Sequence, residues 1–244
     1  GLFLLSGCNH EDVQHTQEAT GTLAVHFSRT GMTNGTASDT ESQITTLNAY
    51  RFENGILKET FNSLQINEEG TCQLQIEQRK GSLYFLANST KVIAKENLQK
   101  DITTLNEFLK LTATSEEMTS ENLLMGGKAN LNIESSSLSI ALKRAVARID
   151  LDSPFQDAEV NSVIIKEIAL TGFVNEQDAN QSPEEFEKTS LTKDFGDQPF
   201  KNGKTTLFYL PEQYTNGHEV EIMMTANGGW HRLKTTLPAL KRNT

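Results

Sequence analysis

The chain has 244 residues, 36% of them hydrophobic, and a formal net charge of −10. That length suits one large or two modest domains. The acidic balance argues against a nucleic-acid partner, whose phosphates need a basic surface, and two cysteines are too few for a disulfide framework.

The N-terminal stretch Gly1-Leu2-Phe3-Leu4-Leu5-Ser6-Gly7-Cys8 reads as the remnant of a secretory signal. An apolar run is followed by small residues, which signal peptidases require beside the bond they cut, and then by one cysteine. In this setting the Cys8 thiol takes a diacylglyceryl group, and residues 1–8 form a lipobox. The run is too short to span a bilayer, and polar residues come directly after it. The alternative is an apolar N-terminus packed on the core, with Cys8 an ordinary buried thiol. Residues 9–21 hold Glu11, Asp12 and Glu18 with Val13 as their only large aliphatic side chain, so they read as a flexible tether. No other segment is apolar enough over sufficient length to cross a membrane.

Most of the chain beyond the tether has the period of strands. From Gly21 to Ser28, Leu23, Val25 and Phe27 fall on one face. Residues 29–43 are rich in Thr, Ser, Gly and Asn and read as an exposed loop. A strand over Ile44–Phe52 turns at Glu53-Asn54-Gly55 and returns over Ile56–Ile66. Cys72, Leu74 and Ile76 share a strand face, which makes Cys72 a core thiol. If Cys8 carries no lipid, a Cys8–Cys72 disulfide becomes open to it. Ser82–Ala87 is apolar without interruption, as a strand buried on both faces would be. One segment, Asn97–Leu111, has the helical period, with Leu98, Ile102, Leu105, Phe108 and Leu109 on one face.

Two short strands, Leu123–Met125 and Ala129–Glu134, are expected on either side of a Gly126-Gly127 break. Leu138–Leu151 is the longest strand candidate. Its apolar phase shifts near Arg144-Ala145, where a bulge is expected. Ser153-Pro154 then marks a boundary between domains 22–153 and 154–244. Strands are expected from Val160 and over Thr205–Leu210. Residues 175–198 read as a polar surface excursion. His218–Ala226 and Trp230–Leu237 flank the hairpin signal Asn227-Gly228-Gly229. Short strands with turns between them argue for β-sandwiches.

Residues able to carry chemistry are sparse. His218, Glu219 and Glu221 lie together, but on a strand the two carboxylates share one face and the imidazole takes the other. That arrangement reads as a solvated strand face. Asp150 and Asp152 share a face with no third ligand nearby in sequence. Asn88-Ser89-Thr90 matches a glycosylation acceptor, and Trp230 beside its turn could serve as a sugar platform or pack on a sheet. No phosphate loop, serine elbow or metal motif is present in the sequence. No cofactor, no metal and no enzyme activity are expected.

Three motifs together resemble the fimbrillin family of Bacteroidota, the subunits of type V pili: ITTLNAYRFENGI over 44–56, LKRAVARIDL over 142–151, and LFYLPE over 207–212 with LKRNT at 240–244. Glu11-Asp12 after Cys8 is similar to the export signal of surface lipoproteins in the same phylum. The resemblance implies a mostly β fold of two transthyretin-like β-sandwich domains, with the one short helix in the first. It implies a structural pilus subunit at the outer membrane and cell surface, held there by lipid on Cys8. It further implies cutting by an Arg-specific protease and assembly with other pilus subunits by strand exchange. Carried onto this sequence, the departing strand would present Leu23, Val25 and Phe27, and the cut would fall between Arg29 and Thr30. The alternative makes Arg29 a plain strand-end residue of an uncut anchor or tip subunit. In the family the Arg-Asn-Thr of 242–244 leads into a last strand, so an open edge is expected in the second domain. A glycan-binding surface lipoprotein is the rival reading.

Overall fold

The computed structural model describes residues 21–29, 37–177, 186–213 and 217–244. The first half of the chain holds β1 (Gly21–Arg29), a 3-10 turn at Thr40–Ser42, β2 (Leu47–Glu53), β3 (Ile56–Phe61), β4 (Thr71–Ile76), β5 (Ser82–Ala87), α1 (Thr90–Ile93), α2 (Leu105–Leu109), β6 (Thr112–Thr114), α3 (Ser115–Thr119), β7 (Met125–Asn130) and β8 (Ser137–Arg144). The second half holds β9 (Val146–Ser153), β10 (Ala158–Ala169), β11 (Thr171–Phe173), β12 (Lys188–Asp194), β13 (Gly203–Pro211), β14 (His218–Ala226) and β15 (Gly229–Leu237).

Seven strands of the first half join in the order β3-β2-β5-β7-β8-β1-β4, while β6 pairs with β11. The two ends of this sheet share one core. Leu23, Val25, Cys72, Leu74, Ile140 and Leu142 from β1, β4 and β8 pack with Leu47, Ala49, Leu83 and Phe85 from β2 and β5. The opposite face of β2 and β5 offers Tyr50, Phe52, Tyr84 and Leu86 to a second core, closed by Val92, Phe108 and Met118 of the three helices. This explains the unbroken apolar run of β5, since its alternate residues enter different cores. The turn between β2 and β3 places Asn54 at φ 51° and Gly55 at φ 77°. This is the left-handed pair that a two-residue hairpin requires.

Four sequence expectations change. The helix expected over Asn97–Leu111 shrinks to Leu105–Leu109, because Asp101 takes φ 61° and interrupts any continuous helix. Thr104 then starts a new one through a capping box with Glu107, and Ile102 is left 66% exposed. Three short helices stand where one was expected. The Gly126-Gly127 break is absent: β7 runs through both glycines. A Cβ on Gly127 would sit 2.7 Å from Ile140 Cγ2 and 2.9 Å from the Ala141 carbonyl, so the missing side chain lets β8 approach. Residues 188–194 of the expected excursion form β12, an edge strand whose exposure explains its polarity.

The fourth change concerns Leu138–Leu151. The phase shift is present, but it marks a change of sheet. The chain bends at Ala145, and β9 pairs with β13 while sending Ala147, Ile149 and Leu151 into a third core with Val160, Val163, Ile165 and Val220. The chain thus passes from one sheet to another at Ala145, eight residues before Ser153. This third core lies under a sheet of order β12-β10-β14-β15. The tip between β14 and β15 is again a left-handed pair, Asn227 at φ 51° and Gly228 at φ 75°. The other edge of β9 meets the end of the chain, where the Arg148 amide donates to the Thr244 carbonyl at 2.8 Å and the Asn243 amide to the Val146 carbonyl at 3.0 Å. Past Arg148, no strand pairs with this edge among the described residues.

Candidate functional site

β1 occupies a seat between two strands. It runs antiparallel to β4 from Gly21↔Ile76 to His26↔Thr71, and parallel to β8 from Ala24↔Ser137 to Arg29↔Leu142. The alternation legible in sequence selects which side chains enter the core. Leu23 and Val25 are fully buried, and the Phe27 ring meets Phe85 edge-on at 5.2 Å. Polar contacts fix the register from the other face: Gln75 Nε2 donates to Thr22 Oγ1 at 2.7 Å, Arg79 Nη2 to the Thr22 carbonyl at 3.1 Å, and His26 Nδ1 lies 2.9 Å from Thr71 Oγ1. Cys72 sits directly opposite Val25. It is free and buried, and burial pushes its thiol up to about 11, so it is an unreactive core group while β1 is in place.

Downstream of β1, residues 38–42 build a polar knot around the buried Glu41. The Glu41 carboxylate accepts two bonds from Arg148 Nη1, at 3.0 and 2.9 Å, and one from the Tyr209 hydroxyl at 2.8 Å. Ser38 contributes its amide at 2.5 Å. Burial pushes the Glu41 carboxyl up, but the bonds from Ser38, Tyr209 and Arg148 outweigh it and hold the group below its ordinary range. Burial, and then Glu41, push the Tyr209 hydroxyl up to about 12. Arg144, only 1% exposed, donates to the Glu41 carbonyl, Asn243 Oδ1 and Ser42 Oγ, each at 2.9 Å. Four separated pieces of chain meet here: the segment after β1, the β8–β9 bend, β13 and residue 243. Sequence reasoning singled out LKRAVARIDL but not its two arginines as anchors. Their spacing across the phase shift was the available signal, and their distant carboxylate partner was invisible.

The remaining sequence candidates separate. Thr30 and Cys8 lie outside the described residues, whereas the backbone of Arg29 ends β1. Glu219 and Glu221 share a face as expected and bind Lys166 at 2.6 and 2.7 Å. Lys166 and Lys234 hold Glu221 down to about 2. His218 is buried on the other face, and its Nε2 has no hydrogen-bond partner among the described residues. Asp150 is engaged by Thr206, Arg148 and Lys204. Asn88 is buried and saturated: it accepts from the Thr45 amide and donates to the Gln43 and Leu123 carbonyls. It is a structural clip, and a glycan there would have to displace the core. Trp230 is 69% exposed rather than packed on its sheet. Among the described residues, no group of three His, Cys, Asp or Glu could hold a metal, and no helix is long and apolar enough to cross a membrane.

No protein-family model matches the chain, and no curated protein matches it. Solved structures do match in fold. A fimbrial assembly protein from Parabacteroides distasonis superposes with a TM-score of 0.57 at 14% identity, over 92% of this chain and 88% of that one. The tip fimbrial protein Mfa3 from Porphyromonas gingivalis gives 0.57 at 15% identity, over 89% of this chain and 81% of that one. A fimbrilin, FimA, from Porphyromonas gingivalis gives 0.50 at 15% identity, over 88% and 80%. This chain therefore has the mostly β fold of these fimbrial proteins along nearly its whole length.

Proposed function

We propose that this chain is a structural subunit of a cell-surface pilus, joined to its neighbours by exchange of β1. In this reading the protein is exported as a lipoprotein on Cys8 and held at the outer membrane. An Arg-specific protease then cuts Arg29–Thr30, β1 departs, and a strand of another subunit takes its seat. The observation that carries the reading is the position of β1. It is the first described strand, yet it is not at an edge of its sheet: it lies between β8 and β4 and fills the core with Leu23, Val25 and Phe27. Its removal leaves two rows of unpaired backbone groups and an apolar slot, and a strand of another subunit seated in its place satisfies both. The fold shared with fimbrial proteins supports the same reading.

A second reading keeps β1 in place, as in an uncut lipid-anchored subunit at the base of a fibre. The six paired positions that β1 makes on each side favour it, because both ladders must break for the strand to leave. The N-terminal sequence and intact mass of the protein taken from its native cell surface decide between them. A chain beginning at Thr30 supports exchange, and a chain beginning at acylated Cys8 supports the anchor. A chain with neither mark removes both. The acylated Cys8 outcome also keeps the glycan-binding lipoprotein open, with the exposed Trp230 as the residue to test first.

A further inference from the structure

β4 stands at the end of its sheet, and among the described residues its only ladder is to β1. β8 runs parallel to β1 and β4 antiparallel to it, so β8 and β4 are antiparallel to each other. Once β1 has gone, these two strands are suited to pair directly. That pairing would close the slot and trap the subunit in a state unable to receive a strand. Closure requires β4 to move by one strand spacing, about 4.8 Å.

Two contacts that do not involve β1 oppose this movement, one at each end of β4. At the far end, the Glu77 amide donates to Glu59 Oε1 of β3 at 2.8 Å. Glu59 is buried and paired with Arg51 of β2, whose Nε donates to Glu59 Oε2. Arg51 in turn donates to Glu53 Oε2 at 2.9 Å and to the Lys80 carbonyl at 3.1 Å. At the near end, Asn67 ties the start of β4 to a segment that is itself fixed on β2, where the Leu64 amide donates to the Leu47 carbonyl at 2.8 Å: Asn67 Oδ1 accepts from the Thr71 amide at 2.9 Å, and its own amide donates to the Thr71 carbonyl at 2.9 Å. A shift of β4 would break the Glu77 bond and strand part of a buried carboxylate.

We infer that Arg51–Glu59 and Asn67 pin β4 and hold the slot open after β1 leaves, so that the subunit waits in a receptive state. This rests on the strand-exchange reading. The three residues are positioning residues, since their side-chain hydrogen bonds go to β2, to the ends of β4 and to the Lys80 carbonyl and none goes to β1, whose seat the incoming strand takes.

The test uses the full chain cut by an arginine-specific protease and freed of its β1 fragment in mild denaturant. After dilution, the uptake rate of a fluorescent peptide with the sequence of residues 21–29 is measured. The emptied wild-type protein is expected to take up the peptide readily. The Arg51→Met/Glu59→Leu double variant removes the strut without leaving a buried charge unpaired, and its emptied form is expected to take up peptide at least tenfold more slowly. The uncut double variant, with β4 still held by β1, serves as the folding control. Should it not fold, the exposed-turn variant Asn67→Ala decides the matter, with slower uptake again expected. Uptake at the wild-type rate by emptied variants would overturn the pinning while leaving exchange intact. A wild-type protein that takes up no peptide at all would overturn the exchange reading and the pinning with it.

Discussion

β1 and β15 are both strands of nine residues, and neither looks like the more deeply placed one from its composition. In the structure they are opposites. β1 is bonded on both sides and sends Leu23 and Val25 into a closed core, whereas β15 is bonded, among the described residues, only to β14 and leaves Trp230 and Leu233 exposed. Alternation along a strand reports which face meets a core, but it is silent on how many neighbours the strand has. The difference bears on function. Losing an edge strand trims a sheet, while losing an interior strand opens a slot that must be refilled.

The comparison can be broken by substitution. Val25→Asp puts a carboxylate into the first core and is expected to destabilise the protein by about 4 kcal/mol or more. Leu233→Asp on β15 is expected to change stability by about 1 kcal/mol or less. Urea unfolding of the two variants measures the contrast, and equal midpoints would remove it. Next comes the polar knot against the half-exposed lysine–glutamate cluster of β10 and β14. Arg148→Met leaves the Glu41 carboxylate buried without its main partner, for an expected loss of about 3 kcal/mol. Lys166→Met removes one of the two lysines that pair Glu221 and leaves Lys234 in place, so it is expected to lower the unfolding midpoint far less than Arg148→Met does.

A smaller effect comes from pH. The Glu41 pKa is lowered on folding, so its contribution is present above the ordinary carboxyl value of 4.5 and is lost as pH falls through its folded value. Stability of the wild type is expected to fall more steeply below pH 4.5 than that of Glu41→Gln, and parallel curves would show that Glu41 is not linked. The subtlest contrast lies in hydrogen exchange. The β1 amides should share the protection of the global fold, while the outward amides of β15 should exchange through local opening. Cys72 on β4 offers a check from beside β1: in the uncut protein its labelling should wait on unfolding, because the thiol is buried, burial raises its pKa, and Val25 of β1 lies opposite it.

Local chemistry was legible wherever one stretch of chain contains its own cause. The Asn54-Gly55 and Asn227-Gly228 turns, the alternation of β1 and the double burial of β5 all read directly, since backbone conformation and face are set by neighbouring residues. Expectations failed where a distant partner decides. β7 passes through two glycines because β8 needs the space. β12 hides in a polar stretch because it is an exposed edge. The helical period of Asn97–Leu111 persists only where Phe108 finds a core, and Asp101 cuts it short.

The site divides in the same way. By itself the sequence determined that Leu23, Val25 and Phe27 share a face, that a polar stretch succeeds them, and that the phase of the chain changes near Arg144. Only the tertiary structure decided that β1 sits inside its sheet, that the phase change is a passage from one core to another, and that Glu41 draws Arg148, Tyr209 and, through its carbonyl, Arg144 into one knot. The physical reason is range. Side-chain periodicity and turn chemistry act over a few residues, whereas strand order and buried ion pairs join residues a hundred or more apart, which no local pattern encodes.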